Sequence, residues 1–156
     1  MSFRIMLQLG FALMLLIFST GVTLYEGSAI LEDPWEWKYT AIFSQMKNGQ
    51  VENVNDILRI DYFVYAAKFV PTFPFLMLIG GTYLIILLGY ILLKHKDKMF
   101  SYFLSCLGVL YLGLSSFVSK SPTNGLKFFF NSFLFLGILS IVIALLRIFK
   151  HKTKEI

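Results

Sequence analysis

The chain has 156 residues, of which 57% are apolar and only 15% are charged, and its mean hydropathy is +0.72. A soluble globular domain is about one-quarter charged, so this composition argues against a water-soluble protein. The net charge of +5 does not indicate nucleic-acid binding, because the basic residues lie beside long apolar runs. The single cysteine, Cys106, excludes an intrachain disulfide, and the length predicts one membrane domain comprising residues 1–156.

Four apolar runs without a charged residue predict four transmembrane helices. They are residues 5–25, 73–93, 99–118 and 128–146, with lengths of 21, 21, 20 and 19 residues. About 20 helical residues cross the ~30 Å hydrocarbon core of a bilayer. Barrel strands would alternate apolar and polar residues, and these runs do not. The sequence therefore predicts an all-α membrane protein, an up-down four-helix transmembrane bundle with a polar loop, residues 26–70, between its first two helices.

The distribution of basic residues predicts how this bundle is oriented. Eight of the 14 lysines and arginines lie before the first run, between the second and third, or after the fourth. The loop of residues 26–70 instead carries seven acids and four bases, which gives a net charge of −3. Because basic flanks stay on the cytoplasmic side, we expect both termini in the cytoplasm and this loop outside a plasma membrane.

The first apolar run has a second interpretation. A short basic start, an apolar stretch and the small residues Gly27, Ser28 and Ala29 also fit a cleaved signal peptide. The run is long for a signal sequence and has only Arg4 before it. Both interpretations place residues 26–70 on the outer side of the membrane and the C-terminus on the inner side.

The loop between the first two runs is predicted to contain helices of its own. Pro34 ends any helix that precedes it and is suited to the first turn of one that follows. Residues 53–70 are predicted to form an amphipathic helix that starts near Asn53 and lies on the outer membrane surface. Pro71 and Pro74 then predict a kink before the second membrane-spanning helix.

An aromatic and acidic patch follows the first run: Trp35, Glu36, Trp37 and Tyr39. Indole and phenol rings favour the headgroup region, so the patch is explained by anchoring at the interface. Trp and Tyr also dominate binding hot spots, so the patch is also a candidate surface for a partner or ligand. The two interpretations are compatible.

Acidic residues also gather near the end of the first run: Glu26, Glu32, Asp33 and Glu36. Paired carboxylates serve acid–base chemistry or bind cations, but this spacing matches no metal-binding loop, and a solvated acidic loop explains it too. Glu26 ends the apolar helix, so we expect it to be partly buried and to need a partner. The candidate partners are Arg59, Lys38 and Lys68.

Small residues recur at helical spacing in the third and fourth runs. We predict that they allow close helix packing, either inside the bundle or against another chain. The set comprises Ser101, Ser105, Gly108, Ser115, Gly137, Ser140 and Ala144.

Several signatures of chemistry are missing from the sequence. There is no pair of cysteines, no glycine-rich phosphate loop, and no histidine near carboxylates at metal-ligand spacing. The predicted spans also lack the ionisable residues that ion-coupled transporters bury. We therefore expect no enzymatic activity, no metal and no cofactor.

The segments from Tyr25 to Ser28 and from Trp35 to Tyr39 resemble an uncharacterised family of small four-span membrane proteins of Gram-positive bacteria. The resemblance covers mainly the first run and the loop, and it implies a bacterial plasma membrane without assigning an activity. The topology is similar to the claudin plan of four spans and a larger first outer loop with tryptophans. The paired cysteines of claudins are absent, so only the architecture is shared.

The sequence predicts a non-enzymatic integral membrane protein. Its partners would be the lipid bilayer and, through the loop or the helix faces, another membrane or envelope protein or a second copy of itself. The alternative is a small transporter, or an immunity or resistance protein, that handles a hydrophobic molecule. That alternative requires a cavity, for which the candidate lining residues are Thr82, Tyr83, Tyr90, Ser105 and Asn131.

Overall fold

The computed structural model describes residues 3–94 and 96–152, and the side chains up to residue 150. Over these ranges the chain forms seven α-helices and two short 3₁₀ segments, without a strand. The α-helices are α1 (Phe3–Gly27), α2 (Pro34–Thr40), α3 (Ile42–Asn48), α4 (Arg59–Phe69), α5 (Thr72–Leu93), α6 (Asp97–Val118) and α7 (Asn124–Lys152). The 3₁₀ segments are Ser28–Glu32 and Val54–Asp56.

Four of these helices, α1, α5, α6 and α7, are long and apolar enough to cross a membrane. Each contains the whole of the corresponding apolar run of the sequence. Most of their surface is not covered by the rest of the chain, as expected of helices that face lipid. The predicted fold class, an all-α protein with four membrane-length helices and helices in the intervening loop, is confirmed.

The chain divides into two compact units. Within the described ranges, unit 1 comprises residues 3–81 with 123–125, and unit 2 comprises residues 82–122 with 126–152. Unit 1 therefore holds α1, the first half of α5 and the polar segment between them, residues 28–70, which we call the cap. Unit 2 holds the second half of α5 together with α6 and nearly all of α7.

The cap is more broken than the single helix predicted over residues 53–70. Asp56 accepts hydrogen bonds from the backbone N–H groups of Asn53 (3.1 Å) and Glu52 (3.4 Å), which closes a 3₁₀ turn. Ile57 and Leu58 then adopt extended conformations, so α4 begins only at Arg59. The amphipathic pattern predicted a helix in this region, but residues 54–56 form a separate 3₁₀ turn that the Asp56 side chain closes.

Two residues with restricted or unusual backbone preferences set the ends of α2 and α3. Pro34 occupies the first turn of α2, where a missing N–H costs nothing. Gly49 ends α3 with φ of +80°, a conformation in which a residue with a Cβ is strained. Pro34 thus marks the start of α2 and Gly49 the end of α3, and each helix has seven residues.

The interior of unit 2 is built from aromatic, aliphatic and small side chains. Phe100, Leu104 and Ala144 form its buried apolar cluster. A Cβ at Gly108 would crowd the carbonyl oxygen of Gly137 at 2.9 Å, so α6 and α7 approach closely there. The other residues of the small-residue set in this unit are buried, apart from the half-buried Ser105: Ser101, Ser115 and Ser140.

Candidate functional site

A fully buried carboxylate, Asp61, organises the cap. It projects from α4 and accepts hydrogen bonds from the backbone N–H of Phe43 (2.9 Å) and of Ser44 (2.8 Å), as well as from the Ser44 hydroxyl. These N–H groups belong to the first turn of α3, whose preceding residue Ala41 has no side-chain acceptor. Asp61 therefore caps α3 from another helix, and its negative charge is favourable at that helix N-terminus.

Lys68 ties the other end of α4 to the end of α2. Its Nζ donates to the hydroxyl of Thr40 (2.7 Å) and to the backbone carbonyl of Tyr39 (3.0 Å), and lies 3.6 Å from Glu36 Oε2. The Thr40 hydroxyl in turn donates to the same Glu36 oxygen at 2.7 Å. A cation at a helix C-terminus is favourable, and the exposed fraction of the Lys68 side chain is only 10%. Glu36 is thus a bracing residue of the cap.

Trp37 is also part of this framework. Its indole N–H donates to the carbonyl of Ile30 at 2.7 Å, and its own carbonyl accepts from the Gln45 side chain at 2.6 Å. The ring packs against the buried cluster of Ile30, Ala41 and Ile57. Trp37 therefore joins the first 3₁₀ segment, α2 and α3.

Tyr65 packs against the same cluster from α4. Burial raises the pKa of its phenol, and the negative charges of Asp33 and Glu36 raise this pKa further. The raised pKa favours the neutral phenol, which suits a side chain packed within the cap.

The aromatic and acidic patch predicted from the sequence divides into two sets. Trp37 and Glu36 hold the cap together, whereas Trp35 is 88% exposed and Tyr39 is 64% exposed. Arg59 is exposed on α4 as well. The outward-facing aromatics are therefore the residues of this patch that are free to meet a partner.

A cleft of ≈ 470 Å³ opens in the cap beside Trp37. Its walls combine the apolar side chains of Pro34 and Val51 with polar groups of both charges, notably Lys38 and Glu52. Volumes of this size accommodate small ligands or a few residues of a peptide. Sequence reasoning missed the cleft, because its walls come from α2, α3 and the following turn.

Glu26 is half-buried near the end of α1, and the acidic cluster does not gather into a metal site. Among the described residues, no group of three or more His, Cys, Asp or Glu is arranged to hold a metal ion. Oε2 of Glu26 and Oγ1 of Thr23 are buried without a hydrogen-bond partner in this part of the chain. Of the partners expected for Glu26, Lys68 binds Glu36 instead.

Replacing Glu26 by methionine is expected to stabilise the protein by about 1 kcal/mol, because a buried oxygen without a partner is lost and the side-chain length is kept. Thermal unfolding in detergent measures this change. Glu32→Met, at an exposed position, is the matched control and should alter stability by less than about 0.5 kcal/mol. A clear loss of stability in the Glu26 variant would show that this carboxylate has a stabilising partner.

Unit 2 contains an open apolar groove of ≈ 320 Å³ along α5, α6 and α7. Three residues that the sequence suggested for a hydrophobic cavity, Thr82, Tyr83 and Tyr90, line it, whereas Ser105 and Asn131 do not. Arg147 lies at one end of the groove. Its guanidinium binds Asp97 at 2.9 Å and stacks over the Phe100 ring at 4.8 Å.

The comparisons with known proteins define a family without a known function. A family model described as a domain of unknown function (DUF4306) matches residues 6–93. The uncharacterized protein YjdJ of Bacillus subtilis (strain 168) is 33% identical over 104 residues, which make up 65% of this chain and 95% of that relative. No solved structure matches. The chain belongs to the DUF4306 family, and the predicted resemblance to an uncharacterised family is confirmed.

The family match has a clear relation to the helices. Residues 6–93 contain nearly all of α1, the whole cap and α5, whereas α6 and α7 lie beyond them. The part of this chain that the family model matches therefore contains Asp61, Lys68 and the cleft, but only the α5 side of the groove.

Proposed function

We propose that this protein is a multi-pass plasma-membrane protein that acts without enzymatic activity, by binding another membrane or envelope protein through its cap. Both termini would be cytoplasmic and the cap would lie outside. The orientation is supported by the acidic balance of the cap and by the basic residues that border the opposite helix ends, Lys94, Lys98, Arg147 and Lys150.

This proposal rests on the observation that one set of cap residues holds the cap together while two aromatic residues remain exposed. Its charged and hydrogen-bonding groups at Asp61, Lys68 and Trp37 are used to brace four short segments against one another. A loop that merely connected two spans would not need this framework. The bracing keeps Trp35 and Tyr39 on the surface in fixed positions, and preorganised aromatics are what binding hot spots require.

The first test is photocrosslinking from position 35 in native membranes. With a photoreactive phenylalanine in place of Trp35, we expect capture of one discrete protein, because this side chain is 88% exposed. The matched control carries the same group at Phe117 of α6, which is 87% exposed on a membrane-length helix and should capture lipid. Capture of lipid alone from position 35 would make Trp35 an interfacial anchor and refute partner binding through it.

Alanine replacement of the two tryptophans is expected to separate binding from folding. Trp37→Ala should lower the free energy of unfolding by about 3 kcal/mol, because it removes a packed ring and its bond to Ile30. Trp35→Ala should cost less than about 0.5 kcal/mol while abolishing partner capture from a crosslinker at Tyr39. The measurements are thermal unfolding in detergent and crosslink yield. Full capture by the Trp35 variant would contradict the proposed surface.

A second candidate function rests on the groove of unit 2, which supports the handling of a hydrophobic molecule. Seven of its twelve lining residues are apolar, and the others are Thr82, Ser140, two tyrosines and Arg147. Because α6 and α7 lie outside the family match, such a role would be particular to proteins that carry these helices.

A further inference from the structure

We propose that the groove of unit 2 binds one acyl chain of an anionic phospholipid and that Arg147 binds the phosphate of the same lipid. The inference goes beyond the partner-binding role of the cap and rests only on the proposed membrane insertion of α5, α6 and α7.

The composition of the groove fits a hydrocarbon chain. Its sides are formed by aliphatic and aromatic side chains such as Ile86, Leu87, Leu104, Leu136 and Ile143. Its volume of ≈ 320 Å³ lies at the lower end of the range for ligand pockets, which suits a narrow ligand. An open apolar groove on membrane-length helices faces lipid chains rather than water, so a chain can enter it from the side.

The length of the groove matches one leaflet of a bilayer. Its lining residues run from Thr82 to Tyr90 on α5 and from Leu136 to Arg147 on α7. At 1.5 Å per residue these stretches are about 12 and 17 Å long. Half of the ~30 Å hydrocarbon core is about 15 Å. The groove is therefore as long as one acyl chain in the leaflet at the Arg147 end.

The charge at that end selects an anionic headgroup. Residues 94–98 and 147–150 contain one acid, Asp97, and five bases, which leaves a net positive charge. The bases are Lys94, Lys96, Lys98, Arg147 and Lys150. Asp97 binds one nitrogen of the Arg147 guanidinium, and the Arg147 side chain remains 37% exposed. A guanidinium has five N–H donors in a fork that matches phosphate, so Arg147 can hold Asp97 and a lipid phosphate together.

The position of the guanidinium favours binding at this place. Arg147 lies over the Phe100 ring and binds Asp97, and these two contacts fix the direction of a long flexible side chain. Phe100 itself lines the groove and contacts Tyr90 at 5.9 Å between ring centroids. The guanidinium is thus held at one end of the apolar groove, as a phospholipid with its chain in the groove requires.

The test measures retained phospholipid. The full-length protein is reconstituted with equal amounts of phosphatidylglycerol and phosphatidylcholine, solubilised in mild detergent, purified, and assayed by native mass spectrometry. We expect retention of phosphatidylglycerol in preference to phosphatidylcholine. Arg147→Gln should reduce this preference about fivefold. Lys150→Gln removes the same charge one turn away and outside the groove, and should reduce the preference by less than about twofold.

A second pair of variants tests the chain-binding part. Ile143→Trp fills the groove and should remove most of the retained lipid. Val142→Trp is the matched control, because Val142 is 45% exposed, compared with 41% for Ile143, and does not line the groove. Equal retention by both tryptophan variants, or equal retention of the two lipids by the unmodified protein, overturns the inference.

Carbonate extraction of membranes separates this inference from the proposed function. A protein that resists extraction but retains no phosphatidylglycerol is inserted without a lipid site, and the inference alone fails. A protein released by carbonate would refute membrane insertion and with it both proposals. Crosslinking from Trp35 reports on the cap independently of either result.

Discussion

Asp61→Ala is expected to lower the free energy of unfolding by about 3 to 4 kcal/mol, one of the largest effects of any single substitution in the cap. Asp61 is fully buried, and its two oxygens accept bonds from the N–H groups of Phe43 and Ser44 and from the Ser44 hydroxyl. Alanine would leave all three donors without this acceptor, and the two donors of Ser44 are buried. The Ser44 oxygen also accepts from the N–H of Leu58 at 2.8 Å, so the start of α4 would be disturbed as well.

Unfolding of the cap can be followed specifically, because the chain has two tryptophans and both lie in the cap. The detergent-solubilised protein is titrated with a denaturing detergent and followed by tryptophan fluorescence. The titration measures the decrease in the free energy of unfolding. Asp56→Ala is the matched control: this carboxylate is half-buried and closes a local turn, so its loss should lower the free energy of unfolding by about 1 kcal/mol. Equal costs for the two variants would contradict the role assigned to Asp61.

Asparagine at position 61 refines this result. Its side chain keeps the shape of aspartate but has a single acceptor oxygen. That oxygen can accept from Phe43 or from Ser44, and the amide NH₂ group then faces the other residue's N–H group. We expect a loss of about 2 kcal/mol, between those of the native protein and the alanine variant.

The four long helices were predictable because each follows from a local property. Twenty consecutive apolar residues must satisfy their backbone hydrogen bonds internally in lipid, and a helix does so without help from distant residues. The observed α5 (Thr72–Leu93) begins one residue before the predicted run and ends with it. The start of α2 at Pro34 was predictable for the same reason, since it depends on the proline ring alone.

The internal organisation of the cap was not predictable, because it depends on contacts between residues far apart in the chain. Asp61 caps α3, whose Phe43 lies 18 residues before it in the sequence, and no pattern around Asp61 specifies that partner. A charged residue among the apolar positions of α4 was the only available signal. Trp35 and Trp37 look equivalent in the sequence, and their opposite roles arise from the bond between Trp37 and the Ile30 carbonyl.

The groove illustrates an intermediate case. The sequence identified polar side chains at Thr82, Tyr83 and Tyr90 within an apolar helix, and all three line the groove. It could not identify Arg147, which belongs to a basic stretch that topology alone explains. The contacts of its guanidinium with Asp97 and Phe100 distinguish it from the neighbouring lysines.

Gly27→Ala is the second substitution for which we expect a large effect, a loss of about 3 kcal/mol. Gly27 is buried at the end of α1, and a Cβ built there would overlap the backbone carbonyl of Tyr62 in α4. A backbone atom in the middle of a helix cannot turn away as a side chain can. The substitution must therefore separate α1 from α4, which would also displace Asp61, the residue before Tyr62.

The backbone conformation of Gly27 makes this prediction specific. Its φ of −69° and ψ of −21° are helical values that alanine prefers, so the expected loss comes from lack of space alone. Gly21→Ala is the matched control in the same helix, because nothing lies within 4 Å of a Cβ at that position. It should stabilise the protein by up to about 1 kcal/mol.

If the two alanine variants unfold alike in the fluorescence titration, close contact between α1 and α4 does not hold the cap in place. A loss of stability in Gly27→Ala together with a gain in Gly21→Ala would show that Gly27 sets how near the cap lies to α1.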